Sequence, residues 1–164
     1  MSVVINGTGS ISGLSNVGGV SSAQAGNILQ VVTAQSNTPY STTSNVWLST
    51  NLSATITPQS TSSRILVLTC IPDAQKGNDA TYASGAFRIT RNGSAIYYIG
   101  GYIGYTGTNL TNYFSTTGIY VDTPASTSAL TYLVQMSNEL NSGTIFFAPS
   151  GTAAVNTITL LEIA

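Results

Sequence analysis

The stretch "FRITRNGSAIYY" at residues 87–98 constrains this chain more than any other. Asn92-Gly93 supplies the two positive φ values of a type I′ turn, and β-forming residues flank it on both sides, so a hairpin is predicted there. The same period of two, without the i, i+3, i+4 spacing of a helix, recurs along the chain. It marks strands at 27–33, 46–56, 64–71, 85–91, 94–100, 112–122, 129–136, 143–148 and 156–163. Between them lie "TPQSTSS", "DTPASTS" and "APSGTAA", each with a proline whose fixed φ and missing N–H end a strand. This spacing predicts an all-β fold, a jelly-roll β-sandwich of about nine or ten antiparallel strands. The knob spans residues 27–164 and follows an extended N-terminal arm at 1–26.

The polar positions are filled almost without charge. Arg64, Lys76, Arg88, Arg91, Asp73, Asp79, Asp122, Glu139 and Glu162 are the only charged side chains, and they sum to −1. With 42% hydrophobic residues, this is the reverse of the disorder signature. Four scattered cations make no basic stripe for nucleic acid. No apolar run approaches the roughly 20 residues that cross a bilayer. Weak charge repulsion between copies favours association.

The residues of catalysis are scarce. Without histidine there is no Ser-His-Asp or Cys-His constellation and no imidazole metal ligand. No catalytic residue, metal site or cofactor is therefore expected. Asp73 and Asp79 in "IPDAQKGNDATYASG" read as members of a solvated loop, the alternative being a carboxylate pair or a calcium loop. Cys70 in "RILVLTCI" reads as a small buried core residue.

Three segments suggest contacts. The arm, "SVVINGTGSISGLSNVGG", spaces Val3, Val4, Ile5, Ile11, Leu14 and Val17 among Gly, Ser and Thr, as anchors on a partner. The final strand "NTITLLEI" puts Ile158, Leu160 and Glu162 on one face and Thr157, Thr159, Leu161 and Ile163 on the other. A strand apolar on both faces is covered on both sides. Ile158, Leu160, Leu161 and Ile163 are thus the candidate subunit interface, unless the chain's own loops cover the strand. Tyr97, Tyr98, Tyr102, Tyr105 and Tyr113 are candidate stacking surfaces for a host glycan. The alternative is that these tyrosines fill the core and the subunit contacts.

The blocks "GTGSISGLSNVGG", "GNILQVV", "ITPQSTSSRILVLT", "FRITRNGSAI", "YVDTPASTSALTYLVQM" and "NTITLLEIA", in this order, span nearly the whole chain. Together they resemble short virion proteins of tailed bacteriophages, marine and cyanobacterial ones in particular. Such proteins are similar to the tumour-necrosis-factor and complement-globular-head jelly roll. The resemblance implies a homotrimer with the last strand beside the threefold axis and both termini at one end of the knob. It implies a structural protein on the outer surface of the phage particle, not an enzyme. The expected role is capsid decoration or cement, in the manner of a head fibre, with the arm docked on the major capsid protein or another virion protein. The other role it implies is a receptor-binding tip or small fibre of the tail that recognises host surface polysaccharide.

Overall fold

The computed structural model describes residues 26–149 and 154–164, and among these there is no helix. Ten strands follow in order: β1 (Ile28–Ser36), β2 (Tyr40–Thr42), β3 (Leu48–Ile56), β4 (Arg64–Lys76), β5 (Gly85–Arg91), β6 (Ser94–Ile103), β7 (Asn112–Asp122), β8 (Leu130–Asn138), β9 (Ile145–Phe147) and β10 (Asn156–Ile163). All pairings are antiparallel. With the three-residue β2 and β9 set aside, the first of the remaining eight strands pairs with the last. The second pairs with the seventh, the third with the sixth and the fourth with the fifth. That nesting is the jelly roll. It produces one sheet ordered β1-β10-β4-β7 and a second ordered β3-β8-β5-β6, while β9 and β2 extend the first sheet beside the far end of β4.

The inner faces meet in one apolar core. Leu52, Ile56, Ile65, Val67, Ile71, Phe87, Ile89, Val134, Met136, Ile145, Phe147, Ile158 and Leu160 are buried there, drawn from both sheets. The β5–β6 hairpin turns as its dipeptide predicts, with φ of 48° at Asn92 and 86° at Gly93. Asn92 also joins the turn to β8: its amide donates to the Thr131 carbonyl at 2.9 Å, and its Oδ1 accepts from the Thr131 amide at 2.8 Å. A side chain at position 93 has room but the wrong φ. Gly93→Val is accordingly expected to cost about 1–2 kcal/mol, measured as a lower urea midpoint at unchanged m-value.

Two sequence expectations need correction. Cys70 is exposed, not part of the core. In β4 the inward residues are Ile65, Val67, Thr69 and Ile71, which leaves Leu66, Leu68 and Cys70 on the outer face. The segment read as a solvated loop from Ile71 onward instead continues β4 past Pro72, across an irregularity between Ile71 and Ala74. Asp73 and Lys76 are buried there. A proline at a bulge removes no ladder hydrogen bond, so the strand carries on. Asp79 is exposed and occupied: its carboxylate accepts from the Thr144 amide at 3.0 Å and from the Thr144 hydroxyl.

Four of the nine charges, Asp73, Lys76, Asp122 and Glu162, are therefore inside. Glu162 caps the end of the sandwich near the C-terminus, where its Oε1 accepts from the Gln59 amide at 2.7 Å and its Oε2 from Gln30 Nε2 at 2.6 Å. Burial raises its pKa. Hydrogen bonds from Gln30 and the Gln59 amide, helped by the neighbouring Ser63 hydroxyl and Ser60 amide, outweigh that and hold the carboxyl below its ordinary value. A carboxylate with a depressed folded pKa contributes stability above its unfolded pKa and loses it as pH falls through the folded one. Urea midpoints are expected to drop as pH falls below about 5, where the unfolded carboxyl begins to bind its proton before the folded one does. In Glu162→Gln that acid limb is expected to flatten; an unchanged slope would assign the acid sensitivity elsewhere.

Candidate assembly face and aromatic surface

The outer face of the first sheet is the candidate assembly site, and the register builds it residue by residue. One row crosses all four strands as Val31–Leu161–Leu66–Val121. The next outward-facing row is Thr33–Thr159–Leu68–Ile119, with Thr33 and Thr159 hydroxyls 3.2 Å apart. Ile28, Ile163 and Arg64 border the first row; Gln35, Thr157, Cys70 and Thr117 border the second. Arg64 is the only charge among these positions. Val31, Ile119 and Val121 are exposed by 56%, 65% and 46%, and Leu66, Leu68, Leu161 and Ile163 are half-buried. An outer sheet face facing water should carry polar residues at these positions. This one carries a contiguous apolar strip, the kind of surface that marks a contact.

Of the four interface residues expected on the last strand, Leu161 and Ile163 lie on this face. Ile158 and Leu160 point the other way and are fully buried between the sheets, where they support the strand from beneath. Sequence alternation separated the two faces correctly but could not say which one met the core. Gly26, the first described residue, donates its amide to the Ala164 carbonyl at 3.2 Å, and Ala164 donates back to Asn27 at 2.9 Å. The chain thus enters the knob beside its C-terminus. Val3, Val4, Ile5, Ile11, Leu14 and Val17 lie outside the described residues.

The five tyrosines do not form one platform. Tyr97 is half-buried and stacks on Tyr120 with ring centroids 5.0 Å apart, tying β6 to β7. Tyr105 stacks on Tyr82 at 6.5 Å in the exposed loops. Tyr113 projects from β7 into a cleft of about 430 Å³ shared with Pro39, Tyr40, Gln75, Phe146 and Pro149. Tyr98 and Tyr102 are brought together by Glu139, whose Oε1 accepts from the Tyr98 hydroxyl at 2.7 Å and whose Oε2 accepts from the Tyr102 amide at 2.6 Å. Tyr102 holds this position at a φ of 54°. A Cβ at Gly101 would push the Glu139 carboxylate and the Tyr98 hydroxyl out of their present positions. Burial, followed by the hydrogen bond and charge of Glu139, pushes the Tyr98 phenol up to about 12.

Sequence reasoning missed Trp47. It lies over Arg88, whose guanidinium carbon is 4.2 Å from the ring centroid, and it meets Tyr98 edge-on at 6.0 Å. Arg88 Nε donates to Gln135 Oε1 at 2.8 Å, and Gln135 Nε2 donates to Ser49 Oγ at 3.2 Å. The outer face of the second sheet is thus polar and aromatic where that of the first is apolar. Among the described residues no three Cys, Asp or Glu side chains gather as a metal site.

Fold and surfaces together define a jelly-roll sandwich module with one apolar and one polar outer face. No protein-family model matches the chain, and no curated protein matches it.

Proposed function

We propose that this chain is a structural protein of a bacteriophage virion, a homotrimeric capsid decoration or cement knob held to the shell by its N-terminal arm. The single observation that carries the assembly part is the apolar pair of rows through Leu161–Leu66 and Thr159–Leu68. The occupant proposed for that face is a second copy of the chain. Both sides of such a contact are nearly uncharged, so no ion is stranded when they meet. The virion assignment rests on the ordered sequence blocks, and three arms on one trimer give an attachment whose individual contacts can be weak.

Light scattering is expected to give three times the 16.9 kDa chain mass. Paired Leu66→Arg and Leu161→Arg substitutions, on an outward face, are expected to leave the β circular-dichroism signature and yield single chains. The Cys70 thiol, at the border of the face, is expected to react slowly with a disulfide reagent in the wild-type assembly and fast in that variant. A wild-type protein that weighs as one chain at micromolar concentration overturns the assembly reading. Deleting residues 1–19 is expected to abolish occupancy on capsids, and full occupancy would remove the arm from the explanation. The exposed Tyr98 and Tyr102 favour a second reading, a receptor-binding tail tip. Imaging of the labelled protein on intact particles separates head from tail.

A further inference from the structure

We infer that the outer face of the second sheet holds a binding site for a neutral saccharide, formed by Trp47, Arg88 and Tyr98, with Glu139 holding the Tyr98 hydroxyl. The inference stands apart from the assembly reading, since it uses the opposite sheet. The site is concave, a pocket of about 250 Å³ walled by Trp47, Arg88 and Tyr98 and floored by β6. Carbohydrate recognition needs a flat apolar surface for the C–H face of a sugar ring and rigid, planar polar groups for its hydroxyl edge. Both are assembled here from residues far apart in the chain.

Each group is fixed before any ligand arrives. The Tyr98 ring packs perpendicular to Trp47, and its hydroxyl is held by Glu139. Glu139 is held by two donors, one per oxygen, and so fixes the direction in which the Tyr98 hydroxyl offers its lone pairs to a sugar. Arg88 is oriented by Trp47 and by its Nε bond to Gln135, and its terminal N–H groups meet no acceptor among the described residues. Left-handed backbone at Tyr102 is the kind of local strain kept at binding sites. Arg88 lines the pocket and Glu139 stands beyond it at the Tyr98 hydroxyl, so the charges of this neighbourhood sum to zero, which suits an uncharged sugar better than a uronic or sialic acid. The platform has one carboxylate, which suits binding; glycosidic cleavage asks for a second across the bond.

Trp47 is the only tryptophan, so intrinsic fluorescence reports from the site itself. Glucose, galactose, mannose, N-acetylglucosamine and glucuronic acid, titrated separately into the purified protein, are the probes. A saturable change at millimolar concentration is expected with at least one neutral sugar. It is expected to weaken about tenfold, or about 1.4 kcal/mol, in Arg88→Gln and in Glu139→Gln. Ala95→Leu, at an exposed position on the pocket rim, is expected to weaken binding without disturbing the platform, and so keeps the test valid if either charge variant misfolds. Binding is expected to persist in the Leu66→Arg, Leu161→Arg protein, which isolates this result from the assembly reading. No saturable response, a response to glucuronic acid alone, or one indifferent to Ala95→Leu overturns the proposal.

Discussion

Replacing Lys76 by methionine is expected to destabilise the fold by about 3–5 kcal/mol, the range for leaving buried polar partners uncompensated. Lys76 ends β4 fully buried, and its ammonium donates to the carbonyls of Thr108 at 2.8 Å, Ala80 at 2.9 Å, and Gly77 and Leu110 at 3.2 Å. Three N–H bonds are thus shared among four carbonyl oxygens from two loops, the one after β4 and the one between β6 and β7. Methionine matches the length and the stem packing but donates nothing. The carbonyls then stay buried without a partner, at about 1–3 kcal/mol for each that water cannot reach. Arginine does not rescue, because its planar fork is too large for a cage fitted to a point charge. The local signature is faster amide exchange in residues 77–84 and 104–111, with β3 and β8 protected to the global limit. A cost below about 1 kcal/mol would mean that the loops re-pair their carbonyls with water as readily as with the ammonium.

Nothing in "AQKGND" announces such a lysine, and the reason shows where sequence reading stops. Strand placement came through because period two and proline punctuation are local: the nine expected strands are β1 and β3–β10, displaced by a few residues at their ends. β2 is three residues long, too short to display a period. Cys70 went to the wrong side because "RILVLTCI" is apolar on both faces, so its alternation has no sign until the opposing sheet is known. The segment from Ile71 reads as a loop, though a bulge can house Pro72 and let the strand run on. The Trp47–Arg88–Tyr98–Glu139 cluster draws on four segments brought together by the β3-β8-β5-β6 order, and no spacing in the sequence encodes it. What the chain does with its few charges was legible only as scarcity; that the fold places several inside is a tertiary fact.

Asp122→Ala is the second substitution expected to approach loss of folding, at about 3–5 kcal/mol. Asp122 closes β7 in the first sheet and takes both oxygens to Arg91 Nη1 of β5, at 2.8 and 2.7 Å, while Oδ2 also accepts from the buried Tyr132 hydroxyl of β8 at 2.6 Å. Arg91 and Tyr132 are register partners in the second sheet, so one carboxylate bolts the two sheets together. The β4–β7 ladder runs from Lys76↔Asn112 to Ile65↔Asp122, which puts the two bolts at opposite ends, roughly 30 Å apart at the rise of a strand. Distance makes their effects additive. Within the Asp122 cluster additivity should fail in a definite direction. Asp122→Ala strands the Tyr132 hydroxyl in the core, whereas removing both groups leaves only the Arg91 guanidinium, which is 30% exposed and can turn to water. Asp122→Ala with Tyr132→Phe is therefore expected to be more stable than Asp122→Ala alone, even though Tyr132→Phe by itself is mildly destabilising. Equilibrium urea unfolding of the four proteins closes the cycle. A double variant less stable than Asp122→Ala would show that water replaces the carboxylate at the hydroxyl, and that the bolt holds through Arg91 alone.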